Sequence, residues 1–321
     1  MVAKNYILSK ILILSYSKLG IRDAFISPGS RNTPLTQAFI NHNRIECFSH
    51  IDERASAYFA LGITKTIGEP VAVLTTSGTA AANLLPATIE ASLNKSPLFL
   101  LTADRPTKLM NTGTSQTINQ INLFKNYINK MIDIDLSQKS IDSQIDNLYD
   151  TLDYALGIEG EYPPGPLHLN IRFDEPLLDK KNILPLNRDN KKSNIKKHKP
   201  IMLPKFRKPL IICGPLKESD DINSIINLSK KINAPVLADS LSQLRFSKHT
   251  NSINSYYDFY ISDIKNKPDL ILRFGDKPIS KNLNSFIDKN KKNTYLINKY
   301  SDFNDDCKNI IISNYKNLQS I

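Results

Sequence analysis

The sequence predicts an α/β protein: a doubly wound parallel-sheet domain followed by a smaller α/β domain. Three observations carry this. Short apolar runs alternate with longer stretches of helical periodicity, the pattern of βαβ units. At 321 residues the chain is long enough for two hydrophobic cores. A polar, basic stretch then separates two such alternating regions, giving a first domain over 1–178, a linker over 179–206 and a second domain over 207–321.

Each element follows in order. The run Tyr6–Ser15 is interrupted by Lys10, is too short for a membrane span and lacks a small-residue cleavage site, so it reads as part of a core helix over 4–19. Strand 22–26, helix 34–42, strand 45–48, helix 53–67 and strand 70–75 come next. Helix 79–93, strand 97–102, a longer helix near 140–158 and strand 166–172 complete the first domain. In the second domain the apolar runs 210–213, 235–238, 269–273 and 294–297 read as strands. The final stretch from Ile310 has the look of a pattern broken off in mid-domain.

Composition excludes several function classes. Cys47, Cys213 and Cys307 form neither a CxxC pair nor an even framework, which points to a reduced, cytoplasmic setting and away from zinc. The net charge is +11, and residues 179–208 alone hold eleven Lys/Arg against two Asp/Glu. That run has a single aromatic residue, Phe206, at its end and no interleaved series of them for base stacking, so it reads as a solvated linker and not as a nucleic-acid surface.

The chemistry gathers at strand ends. Ser27–Pro34 follows the first strand and combines Pro, Gly, Ser, Arg31, Asn and Thr, a polar pocket wall with a planar fork for a carboxylate or phosphate. Asp52 and Glu53 open the third helix, where one acid suffices to favour the helix N-terminus. Thr75–Ala80 opens another helix with hydroxyls and a glycine, a place for a polar ligand. Arg105 follows the fourth strand, and Thr114–Gln120 lies in the loop beyond. Each turn alone is ordinary loop chemistry. Parallel strands, however, bring their carboxyl ends to one edge, where open α/β sheets bind ligands. Elsewhere, Gly275-Asp276 and Cys213-Gly214-Pro215 read as plain strand-end turns, and His168 as a satisfied core histidine.

Taken together, these motifs resemble the thiamine-diphosphate enzymes of menaquinone biosynthesis, the 2-succinyl-5-enolpyruvyl-6-hydroxy-3-cyclohexene-1-carboxylate synthases. The matching segments are Ile26–Leu35, Asp52–Arg54, Thr75–Asn83, Leu101–Pro106, Gln116–Gln120, Gly165–Asn170 and Phe173–Leu177. In the second domain Leu237–Arg245, Tyr257-Asp258 and Ser280-Lys281 extend the likeness. The resemblance implies that the first domain binds the pyrimidine end of thiamine diphosphate and that the second is the central α/β domain. It implies that Glu53 hydrogen-bonds the aminopyrimidine ring as the catalytic acid, which calls for a buried carboxyl with a raised pKa. Pro28, Thr76, Thr79, Asn83 and Gln116 would line the cofactor, and Ser30, Arg31, Arg105, Gln116 and Lys281 would hold substrate. Asn282 stands where some relatives carry a second basic residue.

The implied reaction decarboxylates 2-oxoglutarate and transfers the succinyl group to isochorismate, with magnesium (or manganese) bridging the cofactor's diphosphate. The implied assembly is a homo-oligomer, dimer or tetramer, or a complex with a chain carrying a third domain. That third, diphosphate-binding domain is marked by Gly-Asp-Gly and a downstream Asn, and the sequence is expected to lack it. The chain then reads as an N-terminal portion, from a truncated or split reading frame or an incomplete record of a longer sequence, and is expected to be inactive alone. No metal ligand is assigned within it. The alternatives are a non-catalytic carboxylate-binding or regulatory module and a relative acting on another 2-oxo acid.

Overall fold

The computed structural model describes residues 5, 8, 9, 12, 13, 16, 17, 20–135, 154–158, 161–177, 203–216, 220–247, 252–264 and 267–320. Two compact units divide the chain: 1–158 with 164–191, and 159–163 with 192–321. Segment 159–163 belongs to the second because the Glu161 carbonyl accepts the Ser301 and Asp302 N–H groups at 2.9 and 2.8 Å.

In the first unit, β1 (Asp23–Ile26), β2 (Glu46–Ser49), β3 (Val71–Thr75), β4 (Leu98–Asp104), β5 (Lys130–Asp135) and β6 (Leu167–Arg172) form one sheet in the order β2-β1-β3-β4-β6-β5. All its pairings are parallel. Alternation along the buried strands supplies two cores. Ala72 and Leu74 of β3 face a layer with Leu12, Phe39 and Phe99, while Val71 and Val73 face Ala57, Leu61 and Ala87 on the opposite side.

The helices α1 (Thr33–Ile40), α2 (Glu53–Ile67), α3 (Thr79–Ala82) and α4 (Leu85–Leu93) cover these faces. Asp52 caps α2 by accepting the Ala55 N–H at 3.0 Å, and Gly68 closes it at φ 72°, a left-handed position suited to glycine. The helix expected over 79–93 is two helices. Pro86, in the first turn of α4, has no N–H to offer a continuous ladder, so the chain restarts at Leu85. The expected helix near 140–158 falls mostly outside the described residues, although 154–156 are helical. Most of the linker 179–206 also lies outside them.

The second unit holds β7 (Pro209–Cys213), β8 (Val236–Ala238), β9 (Ile253–Asn254), β10 (Leu270–Phe274), β11 (Thr294–Asn298) and β12 (Asn309–Ile312) in the order β12-β11-β10-β7-β8-β9, again wholly parallel. Read from β7, this is the 3-2-1-4-5-6 order of doubly wound nucleotide-binding folds. Helices α5 (Ile222–Ile232) and α6 (Lys281–Lys289) pack on it, capped by Asp221 and Ser280. Sequence periodicity missed β5, β9 and β12. β5 and β12 are outer strands of four to six residues that mix polar and apolar side chains. Among the described residues no helix is long and apolar enough to cross a membrane.

Candidate functional site

The carboxyl edge of the first sheet is built by four turns. After β1, Ser27 stays hydrogen-bonded to the Leu74 carbonyl at 2.9 Å, and buried Asn32 donates to the Ser27 carbonyl at 2.8 Å. Pro28 and Ser30 remain exposed on this turn. Gly29 has no alternative residue here: a Cβ would lie 2.5 Å from Cβ of Thr76, so the turns after β1 and β3 are in direct contact. Thr76 is nearly buried, whereas Thr79 is exposed.

Glu53 is the first residue of α2. Because Asp52 performs the capping, the Glu53 carboxylate is released from that duty and accepts the Asn83 amide at 3.1 Å. The structure corrects one expectation here: Glu53 is half-buried and not buried. The cause is the open surface around the helix start, where Ile51 and Phe59 are 87% and 59% exposed.

Arg31 and Arg105 are both buried side chains. Arg31 donates to the Phe173 carbonyl at 3.1 Å and to the exposed Glu175 carboxylate at 3.3 Å. Arg105 donates to the Ser77 hydroxyl in a very short contact, to the Gln116 carbonyl at 3.2 Å and to the Gln116 side-chain oxygen at 3.4 Å. Burial, and then the charge of nearby Arg31, hold the Arg105 guanidinium below its ordinary value. The Nε of each arginine is buried without a hydrogen-bond partner among the described residues. Gln116 itself is exposed and held at φ 56°.

The structure thus groups Glu53 with Asn83, Gly29 with Thr76, and Arg105 with Ser77, Gln116 and Arg31. Lys281 belongs to the second unit, as the exposed first residue of α6 behind its cap Ser280, whose hydroxyl donates to Asp258 at 2.5 Å. A second adjustment concerns the turn before α3. The Gly78 N–H, a donor that a ligand could have taken, is already held by the Gln120 side chain at 2.8 Å.

Several residues that shape this edge were given no role of their own by sequence reasoning: Asp104, Gln120, Asn170 and Glu175, which lie inside the matching segments, and Arg172, which ends a strand. Asp104 takes the Arg105 backbone N–H at 2.8 Å and the Asn170 amide at 3.0 Å. Arg172 pairs with Asp133 at 3.0 Å and lies 3.7 Å from Asp104. His168 is buried, with Nε2 2.8 Å from the Thr102 hydroxyl and Nδ1 without a partner among the described residues. Burial pushes its pKa down to about 3, keeping the ring neutral. A signal existed in the sequence: His168, Asn170 and Arg172 recur at every second position of an otherwise apolar, fully buried strand.

No group of three or more His, Cys, Asp or Glu among the described residues is placed to hold a metal ion. In the second unit, the crevice between β7 and β10 is filled by its own loops. A Cβ on Gly214 would lie 1.9 Å from the Asp276 carbonyl, and one on Gly275 would lie 2.3 Å from the Pro215 carbonyl.

Comparison with known proteins adds the following. The family model described as thiamine pyrophosphate enzyme, N-terminal TPP binding domain, matches residues 8–123. A 2-succinyl-5-enolpyruvyl-6-hydroxy-3-cyclohexene-1-carboxylate synthase of Staphylococcus epidermidis is 39% identical over 282 residues, covering 84% of this chain and 49% of the relative. The synthase of Staphylococcus haemolyticus is 38% identical over 290 residues, 87% of this chain and 50% of its own. That of Staphylococcus aureus is 38% identical over 280 residues, 84% and 49% respectively. The chain spans about half the length of the curated relatives it matches.

Proposed function

The chain belongs to the 2-succinyl-5-enolpyruvyl-6-hydroxy-3-cyclohexene-1-carboxylate synthase family of thiamine-diphosphate enzymes, and from that premise we propose that it carries the pyrimidine side and the carboxylate-binding side of that synthase's active site. The substrates on this reading are 2-oxoglutarate and isochorismate. One observation supports it above the others: Arg31 and Arg105 are buried side by side at the sheet edge, each with an Nε–H lacking an acceptor among the described residues. Two adjacent buried cations raise each other's cost, and an unmatched buried donor costs about 1–3 kcal/mol. A substrate carboxylate between them answers both.

Thiamine diphosphate, when bound, supplies the carbanion chemistry that 2-oxo acid decarboxylation requires. The residues here fit its pyrimidine end. Glu53 places one carboxylate oxygen on Asn83 and has the other to hold a proton at the ring nitrogen, while Pro28, Thr76, Thr79, Asn83 and Gln116 border the same edge. Ser30, Arg31, Arg105 and Gln116 bind and orient substrate carboxylates; Lys281, an exposed residue of the second unit, is read as a substrate-binding cation from the family likeness alone. A magnesium ion, were one bound with the cofactor, would take its ligands from groups other than the residues described here.

The same reading gives the protein a dimeric or tetrameric assembly. Support comes from Ile51, Tyr58 and Phe59, an exposed apolar surface beside Glu53 that a partner would cover. It also gives a cytoplasmic, menaquinone-pathway role, in keeping with three unpaired cysteines.

Calorimetric titration of the chain with 2-oxoglutarate tests the proposal. Arg31→Met and Arg105→Met are each expected to weaken binding by about tenfold to a hundredfold, the worth of a charge-assisted hydrogen bond. Unchanged affinity in both variants would overturn it.

A further inference from the structure

A buried line of side chains runs from the middle of the first sheet to the turn that faces Arg105, and the roles above leave it unused. Asn170 on β6 donates from its side-chain nitrogen to Asp104 at 3.0 Å and to Asp133 at 2.8 Å. Two carboxylates on one side fix that amide's orientation, because turning it over would set oxygen against oxygen. Its oxygen therefore accepts, taking the Thr102 hydroxyl at 3.0 Å and the Gln120 amide at 2.8 Å. With its single proton on Asn170, Thr102 accepts from His168, whose Nε2 carries the hydrogen. Gln120 also donates to the Ala103 carbonyl at 3.4 Å, so its oxygen is directed to the Gly78 N–H, 2.8 Å away.

Every member from His168 to Gln120 is buried. The line ends on a residue with little room to move. Gly78 sits at φ 78°, and a Cβ there would meet the Gln116 backbone at 3.0 Å. Next to it, Ser77 takes the Arg105 guanidinium, which also donates to Gln116. The other oxygen of Asp104 holds the backbone N–H of Arg105. One buried carboxylate thus sets the backbone of Arg105 directly and, through two amides, the turn its side chain rests on.

We propose that Gln120 is a positioning residue for the carboxylate-binding edge: its amide, oriented by Asn170 and Asp104, holds the Gly78 N–H and thereby places the Ser77 hydroxyl against which Arg105 is aimed. The inference rests on the reading that Arg105 faces a substrate carboxylate. It also implies that the Gly78 amide is withheld from ligand, so anion recognition at this edge falls to guanidinium groups.

Gln120→Met in the full chain keeps the side chain's length and removes its hydrogen bonds. Amide exchange and the Arg105 Nε–H resonance by NMR, with 2-oxoglutarate titration, give the readout. The Gly78 amide is expected to exchange about tenfold faster and 2-oxoglutarate to bind about tenfold more weakly, the worth of one buried hydrogen bond. The Arg105 resonance should shift while the Val73 amide keeps its protection. Unchanged Gly78 exchange would overturn the proposal, as would faster exchange with the Arg105 resonance in place or with unchanged 2-oxoglutarate affinity. Failure of the unsubstituted chain to bind 2-oxoglutarate would sink the substrate reading alone, and the Gly78 and Arg105 signals would still decide whether Gln120 sets this edge. Should Gln120→Met not fold, the unsubstituted chain decides: the Gln120 side-chain NH₂ must exchange as slowly as the β4 amides, and rapid exchange overturns the proposal.

Discussion

Arg105 and Arg273 are buried arginines at the carboxyl ends of interior parallel strands, one in each unit, and their charges are answered differently. Arg273 on β10 is paired in a close contact with Asp305, itself almost fully buried. Among the described residues Arg105 has no carboxylate on its guanidinium, which donates to the Ser77 hydroxyl and the oxygens of Gln116. The surroundings differ in the same sense. In the second unit Gly214 and Gly275 let two loops close onto each other across the β7/β10 crevice, while in the first Pro28, Ser30, Thr79 and Gln116 stand open around the buried cations. A strand order that elsewhere receives nucleotides therefore does not make a site. What marks the proposed site is a buried cation, Arg105, with no carboxylate on its guanidinium among the described residues, beside an open edge, whereas its neighbour Arg31 reaches the exposed Glu175.

The largest effect expected from breaking this contrast lies at Asp305. Asp305→Ala would strand the Arg273 charge and cost the second unit about 3–5 kcal/mol in denaturant unfolding, with 2-oxoglutarate affinity intact. A smaller loss would mean that Arg273 is answered by something else, and the contrast with Arg105 would weaken.

Next in size is an acid limb confined to the first unit. Burial holds the folded pKa of His168 near 3, below the ordinary histidine value of about 6.5. Between those values the unfolded chain binds a proton that the folded chain refuses. The stability is therefore complete above about pH 6.5 and is lost as pH falls toward 3, by about 2–3 kcal/mol at pH 4.5. Chemical unfolding of His168→Gln at pH 7 and pH 4.5 should show that dependence flattened, and an unaltered pH slope would refute the assignment.

The smallest expected effects compare two glycines. Gly214→Ala drives a methyl into the Asp276 carbonyl and should destabilise the second unit by about 1–3 kcal/mol without touching ligand binding. Gly29→Ala meets the Thr76 side chain and should instead weaken 2-oxoglutarate binding, because it parts two walls of the site. Calorimetry on both variants reads the difference, and equal effects on binding would erase the distinction between the closed and the open edge.

Much of this was legible in the sequence, for local reasons. Buried strands such as Val71–Thr75 announce themselves as unbroken apolar runs, and the turns that follow them carry the site residues, so Arg31, Glu53 and Arg105 could be placed on one edge. Other features depend on what lies far away in the chain. The break at Leu84 was signalled by Pro86 but hidden by an otherwise helical pattern. The openness of Glu53 depends on neighbouring side chains and on no motif. The Asp104–Asn170–Gln120 line requires the β4/β6 register, with Thr102 opposite Asn170 and Asp104 opposite Arg172. Its one sequence trace is the polar stripe at 168, 170 and 172.

That register also governs when the edge can form as the chain folds. β6 follows β5 in sequence yet lies between β4 and β5 in the sheet. It must therefore enter an interior place and close a long loop back to β4, a step whose entropy cost is met late. Until it does, Asn170 is absent, Gln120 has no oriented partner and the Gly78 N–H lacks the acceptor that Asn170 and Asp104 aim at it. Helices and strands up to β4 can condense beforehand on local contacts. The proposed carboxylate-binding edge is thus expected among the last parts of its unit to acquire native order, although most of the residues that line it are among the first to be synthesised.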